Sequence, residues 1–214
     1  PVHPSTPLPL YSSSTMHIAL FGTSADPPHR GHCEILRWLA TQFDHVAVWA
    51  SDNPFKTHQS PLGDRSAMLR LMIGDIPAPL GAIALYPELS SSRAIKSAEQ
   101  ARRRWPTAEF TLVVGADLIQ QLPRWYRSQE LLQKVNVLVI PRPGYDLSED
   151  DLMEVKQQGG RVAIAAIPLQ FNLSSSYYRQ TDDTDALPRA VRTYIDQKKL
   201  YPCLGSSRKT LPTH

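Results

Sequence analysis

Cysteine is scarce in this 214-residue chain: Cys33 and Cys203 are the two present, and their spacing makes neither a disulfide framework nor a metal knuckle. A zinc site built on His29, His32 and Cys33 is a poor alternative, because Cys33 directly follows His32 and no second Cys/His cluster has finger spacing. Also missing near the start is any continuous apolar run. Residues 1 to 15 are rich in Pro, Ser and Thr and lack a basic leader region, so they read as neither signal peptide nor membrane anchor. The formal net charge is only +3, with no long Lys/Arg block and no basic stripe interleaved with aromatics. That balance suits anionic small molecules and argues against a nucleic-acid partner. There is no internal repeat, no glycine pattern of a dinucleotide-binding loop and no lysine-ending Walker loop. The expectation is a cytoplasmic protein with neither membrane nor nucleic acid as partner.

What is present is an alternation of strand and helix patterns, with 42% hydrophobic residues, enough for one sizeable core. The chain is organised around Ile18 to His32. A short apolar run (Ile18 to Phe21) breaks at Gly22 and passes through Thr23, Ser24, Ala25, Asp26, Pro27 and Pro28 into a helical pattern starting near Arg30. Strand, phosphate-binding loop and helix is the reading. The amino end of such a helix carries unpaired N–H groups and partial positive charge, and Gly31 allows close approach to the backbone. His29 and His32, three apart, project from the first turn and can donate to phosphoryl oxygens. The blander alternative is that they cap a surface helix.

Further strands are expected at His45 to Ala50, Ala82 to Tyr86, Phe110 to Val114, Val137 to Ile140 and Arg161 to Ile167. Helices fall between them: one from Pro61 to near Gly74 with Leu62, Met68, Leu69 and Ile73 inward, one ending near Arg104 before Pro106, a peripheral one over Asp150 to Gln158, and a closing one over Pro188 to Lys198. The order implies a single Rossmann-like α/β domain, a mainly parallel sheet flanked by helices, with its site along the carboxyl ends of the strands. Lys56, in the loop after the second strand, could bind a substrate phosphate or be a solvated lysine. Asp117, after the fourth strand, could accept from ribose hydroxyls or cap the next helix. Clustered hydroxyls at Ser174, Ser175 and Ser176 cap a helix start, with Arg179 on its first turn able to neutralise phosphates. Arg65 could orient loops or lie exposed, and the run Arg102 to Arg104 reads as a solvated face. Residues 1–15 are expected to be a disordered extension, 16–202 the domain and 203–214 a mobile tail.

The stretch Gly22 to His32 resembles the signature of the nucleotidylyltransferase superfamily, a glycine-containing loop ending H-x-G-H after the first strand. Along most of residues 17 to 202 the chain is similar to the nicotinate mononucleotide adenylyltransferases: Arg65-x-x-Met68-Leu69, Gly115-Ala116-Asp117 followed by Leu122-Pro123-Arg124-Trp125, Pro141-Arg142-Pro143-Gly144, and Val191, Tyr194, Ile195, Leu200 and Tyr201. Ser174-Ser175-Ser176-x-x-Arg179 resembles the second ATP signature, with Ser176 in place of Thr. The chain departs at Ala25, where that family has Phe, and at Ser91-Ser92-Arg93-Ala94-Ile95, where it has a Tyr-Thr-x-Asp-Thr-Leu-like loop beside the pyridine ring.

The resemblance implies adenylyl transfer from ATP to nicotinate mononucleotide, giving nicotinate adenine dinucleotide and pyrophosphate. It implies His29, His32 and Arg179 as the catalytic groups. ATP falls to Gly22, Thr23, Ser24, Gly31, Gly115, Asp117, Ser174, Ser175 and Ser176, and the mononucleotide to Lys56, Ser91, Ser92, Trp125, Tyr126 and Arg142. Trp125 and Tyr126 would stack on the ring or be ordinary core and rim aromatics. Mg²⁺ is expected with ATP, held by phosphates and water without a protein ligand set. Backbone N–H groups near Ser91, Ser92 and Tyr126 would receive the carboxylate, with Arg93 adding positive charge or lying solvated. A preference for the amide mononucleotide, a sister nucleotidylyltransferase with another phosphorylated acceptor, and a non-enzymatic nucleotide sensor are the alternatives.

Overall fold

The computed structural model describes residues 15–52, 59–142, 144–145, 147–168, 174–181 and 183–201. In chain order the described elements are β1 (His17–Thr23), α1 (Arg30–Gln42), β2 (His45–Ala50), α2 (Leu62–Gly74), β3 (Ile83–Leu85), α3 (Ala94–Arg104), β4 (Glu109–Gly115), α4 (Ser128–Lys134), β5 (Asn136–Ile140), α5 (Glu149–Gln157), β6 (Arg161–Ile164), α6 (Ser175–Thr181) and α7 (Arg189–Lys198). The expected extension and tail, apart from Thr15, lie outside the described residues.

All strand pairs are parallel, in the order β3-β2-β1-β4-β5-β6. The chain therefore runs outward from β1 to β3, then returns to β4 on the other side of β1. That reversal opens a crevice beyond the carboxyl ends of β1 and β4, where neighbouring loops turn in opposite directions and ligands of such sheets bind.

Strand residues alternate between two cores because successive side chains point to opposite faces. Ala19, Phe21, Val46, Val48, Val113 and Leu138 face one core, closed by Leu36 and Leu39 of α1, Met68 and Leu69 of α2, and Val191 and Ile195 of α7. Ile18, Leu20, Ala47, Trp49, Leu112 and Val137 face the other, closed by Ile95 of α3, Leu131 of α4 and Val155 of α5. Each large aliphatic side chain buried this way contributes roughly 1.5–3 kcal/mol. Both faces are covered, so the central strands read as continuous apolar runs.

Helix starts follow local chemistry. Pro27 and Pro28 cannot sit inside a helix, so α1 begins only after His29, whose backbone is extended. Pro61 and Pro188 precede α2 and α7. Ser148 Oγ accepts from the Asp151 N–H at 3.1 Å while the Asp151 carboxylate accepts from the Ser148 N–H at 3.0 Å, a reciprocal cap on α5.

Two expectations need correction. Leu62 is not inward but 36% exposed; the buried stripe of α2 runs through Arg65, Met68, Leu69 and Met72, and Leu62 falls off it. The sixth strand ends at Ile164 rather than Ile167, where pairing with β5 stops. No helix among the described residues is long and apolar enough to cross a membrane.

Candidate active site

At the carboxyl end of β1 and the amino end of α1, the two histidines form a fixed pair. His32 Nδ1 accepts the backbone N–H of His29 at 3.2 Å. An amide N–H can only donate, so the neutral ring carries its proton on Nε2, which lies 3.0 Å from Thr23 Oγ1. The ring centroids of His29 and His32 are 3.9 Å apart. His29 is 4% exposed, and its Nδ1 has no hydrogen-bond partner among the described residues. Burial first, then His32 and Arg142, hold the His29 pKa well below 6.5, so the ring is neutral at neutral pH. A buried unpaired polar atom costs about 1–3 kcal/mol. A ligand group that satisfied it would regain that.

The loop between β1 and α1 is pinned from three sides, chiefly through Asp26, which is 3% exposed. Its carboxylate accepts from the Ser60 N–H, 3.3 Å to each oxygen, and from the Tyr201 hydroxyl at 2.5 Å. Burial and this hydrogen bond push the Tyr201 pKa upward, so the phenol stays a donor. The Asp26 carbonyl accepts from Arg179 Nη1, and the Pro27 carbonyl from Ser175 Oγ at 2.8 Å. From α2, Arg65 reaches three more carbonyls: Ser60 at 2.9 Å, Ser24 at 3.0 Å and Ser51 at 2.8 Å. It is 3% exposed, so of its two expected roles the loop-orienting one holds. Ala25 sits in the left-handed region (φ 46°) and is 1% exposed, filling core space with only a methyl group. Gly31 is buried in the first turn of α1.

The second signature meets the first. Ser174 Oγ takes the Tyr177 N–H at 3.0 Å, so the expected hydroxyl cap on the seven-residue α6 is present. Ser176 Oγ accepts from Arg179 Nη2 at 3.1 Å. Arg179 therefore also clamps the Asp26 loop, a contact the sequence does not reveal.

Across the crevice, Gly22 packs against the Trp49 ring: a Cβ there would lie 2.6 Å from the indole. Gly115 has the Asp117 carboxylate folded over it, so a Cβ there would require that side chain to shift. Asp117 lies within the turn Ala116–Leu118, which has no side-chain cap hydrogen bond. It pairs with Arg142 at 3.0 Å, so two groups assigned to opposite ends of the substrates sit in contact, the acidic one neutralising the basic one. At the rim, Ser91 Oγ accepts the Arg93 N–H at 3.2 Å, Ser92 is exposed, Trp125 packs half-buried on the second core, and Tyr126 is 51% exposed. One backbone donor of the proposed carboxylate cradle is thus already occupied. Lys56 lies outside the described residues.

Asp26, Ser60 and Tyr201 were not singled out as site residues. The one legible signal was an acidic residue placed directly before two prolines; its partners come from 34 and 175 residues away. Cys33 is buried and its thiol is pushed up to about 11, chiefly by burial, which makes it inert. No group of three or more His, Cys, Asp or Glu among the described residues is placed to hold a metal ion.

A parallel sheet with its reversal beside β1, a histidine pair at the first helix start and a Ser/Arg turn from the far end of the chain closing on the same loop together define a nucleotidylyltransferase. A family model described as cytidylyltransferase-like matches residues 20–181. A probable nicotinate-nucleotide adenylyltransferase of Synechocystis sp. is 44% identical over 201 residues, covering 87% of this chain and 99% of that protein. One of Trichormus variabilis, also probable, is 32% identical over 202 residues, covering 86% and 97%. The chain belongs to the nicotinate-nucleotide adenylyltransferases of the cytidylyltransferase-like family. A solved nicotinic acid mononucleotide adenylyltransferase of Plasmodium falciparum, complexed with NaAD, shares the fold, with a TM-score of 0.74 at 20% identity over 87% of this chain and 98% of that one.

Proposed function

We propose that the protein transfers the adenylyl group of Mg·ATP to nicotinate mononucleotide, releasing pyrophosphate, as a cytoplasmic enzyme of NAD synthesis. An oxygen of the mononucleotide's 5′-phosphate attacks the α-phosphorus of ATP. The bond from that phosphorus to the bridging oxygen breaks, and pyrophosphate departs with the electron pair. The attacking group is already anionic, so no side chain need take a proton. The protein's part is to hold the two phosphates in line and disperse charge on the leaving group. His29 and His32 would donate to ATP phosphates, Arg179 would face the outer ones while steadying the Asp26 loop, and Asp117 would lie towards the adenosine. The ion would travel with ATP, bound by phosphate oxygens and water.

The observation that carries this reading is the histidine pair: one ring whose Nδ1 is held as an acceptor by a backbone N–H, and a second, neutral ring with a buried nitrogen that has no partner among the described residues, at a helix start beside the crevice. Kinship to the Synechocystis and Trichormus relatives supports the acceptor. The test is pyrophosphate release from Mg·ATP with nicotinate mononucleotide, nicotinamide mononucleotide or phosphopantetheine as acceptor. Release with the nicotinate compound, at a higher kcat/KM than with the amide, is expected. Parity between acid and amide refutes the acid preference alone, and release with neither pyridine nucleotide refutes the function.

A further inference from the structure

The loop before α3 brings hydroxyl, guanidinium and aromatic groups to one rim of the crevice. Ser90 Oγ donates to the Ala50 carbonyl at 2.8 Å, tying the loop to the carboxyl end of β2. Ser91 then turns the backbone by accepting the Arg93 N–H, and the Arg93 guanidinium lies over the Tyr126 ring, 4.1 Å from its centre. Tyr126 follows Trp125, whose ring is anchored on the second core together with Leu89 and Ala94. Two segments separated by about thirty residues thus converge at one rim of the crevice.

The arginines nearby differ in what neutralises them. Arg127 is paired with Glu99 at 3.2 Å and with Glu130. Arg142 is paired with Asp117. Arg93 has no ion pair among the described residues; its guanidinium carbon lies over the Tyr126 ring and its charge is uncompensated. Stacking on an aromatic ring orients a guanidinium without consuming its N–H donors, which lie in the guanidinium plane and remain available to an anion.

We infer that Arg93, lying over Tyr126, selects the acceptor by pairing with an anionic substituent on its ring, so that a carboxylate is favoured over a neutral amide. This rests on the proposed pyridine-nucleotide acceptor and names the residue that reads its charge. It also supplies what the backbone cradle lacks, since the Arg93 N–H is already committed to Ser91. An amide could offer the guanidinium only its neutral carbonyl oxygen and would gain nothing from the charge. Arg93 is exposed, so solvent screening keeps the expected discrimination near the low end for a charge-assisted bond, roughly tenfold.

The experiment compares wild type with Arg93→Met, which keeps an apolar stem on Tyr126, and Arg93→Lys, which keeps the charge. Affinity for nicotinate mononucleotide is measured by calorimetry, and kcat/KM for the acid and the amide mononucleotides at saturating Mg·ATP. Arg93→Met should weaken acid binding and raise its KM about tenfold, with kcat and the amide's kcat/KM held within twofold. Arg93→Lys should recover part of the loss. Equal losses for both acceptors, or no change for either in a folded variant, overturn the inference. If wild type uses neither acceptor, the proposed function fails first, and that result is read from the wild-type arm alone.

Discussion

Arg65→Met is the substitution whose consequences follow most directly from the geometry. The guanidinium is 3% exposed and donates to the carbonyls of Ser60, Ser24 and Ser51 at 2.8–3.0 Å. Methionine keeps most of the stem and removes every donor. A hydrogen bond to a charged group contributes about 1.5–3 kcal/mol, but the three are not additive, because carbonyls in loops regain some water once the guanidinium is gone. A net loss of about 3 kcal/mol is the result, which for a chain of this size lowers Tm by roughly 6–12 °C. Arg65→Lys, with one ammonium for three diverging carbonyls, should recover a third of that or less. Ser24 and Ser51 directly follow β1 and β2, so loosening them displaces the phosphate loop. Well below Tm, kcat/KM for ATP should therefore fall tenfold or more while the far-ultraviolet circular dichroism is unchanged. Thermal denaturation and steady-state kinetics on the same preparations provide the check. A variant with Tm within 2 °C and kcat/KM within twofold of wild type would refute the loop-stapling role.

His32→Ala removes a donor held in one tautomer beside the crevice; turnover should drop about 10²–10³-fold with the fold intact, and near-normal turnover would remove His32 from the mechanism. His29 has a folded pKa below its unfolded value near 6.5, so protons favour the unfolded chain: its contribution to stability is present above that pH and is lost as pH falls below it, at up to about 1.4 kcal/mol per pH unit. His45, lowered chiefly by burial, has the same sign, so His29→Asn should flatten the acid limb of a denaturant-derived stability profile without abolishing it; an unaltered limb would mean that His29 is not buried neutral. Gly22→Ala puts a methyl group 2.6 Å from the Trp49 indole, and overpacking of this kind costs about 1–3 kcal/mol; a Tm equal to wild type would show that the ring moves freely.

The strands and most helices were legible because their signals are local. Val46 to Ala50, Phe110 to Val114 and Val137 to Ile140 are apolar runs bounded by loops, which only strands covered on both faces produce in this setting. Pro27, Pro61 and Pro188 mark helix starts for a steric reason that needs no partner. His29 and His32 were legible as a pair because the residue just before a helix start and the third helical residue meet at its first turn. Leu62 misled because an apolar residue close to the period need not lie on the buried stripe.

Sequence alone determined the alternation of elements, the helix start that carries both histidines and the chemistry of each candidate side chain, since these depend on neighbours within a few residues. Only the tertiary structure decided what each polar group faces. Asp117 meets Arg142, Tyr201 meets Asp26, Arg179 meets the backbone before Pro27, and Arg93 meets Tyr126, across separations from 25 to 175 residues. A charged or hydroxyl group takes the partner that burial leaves within reach, and burial is settled when the sheet and its helices close.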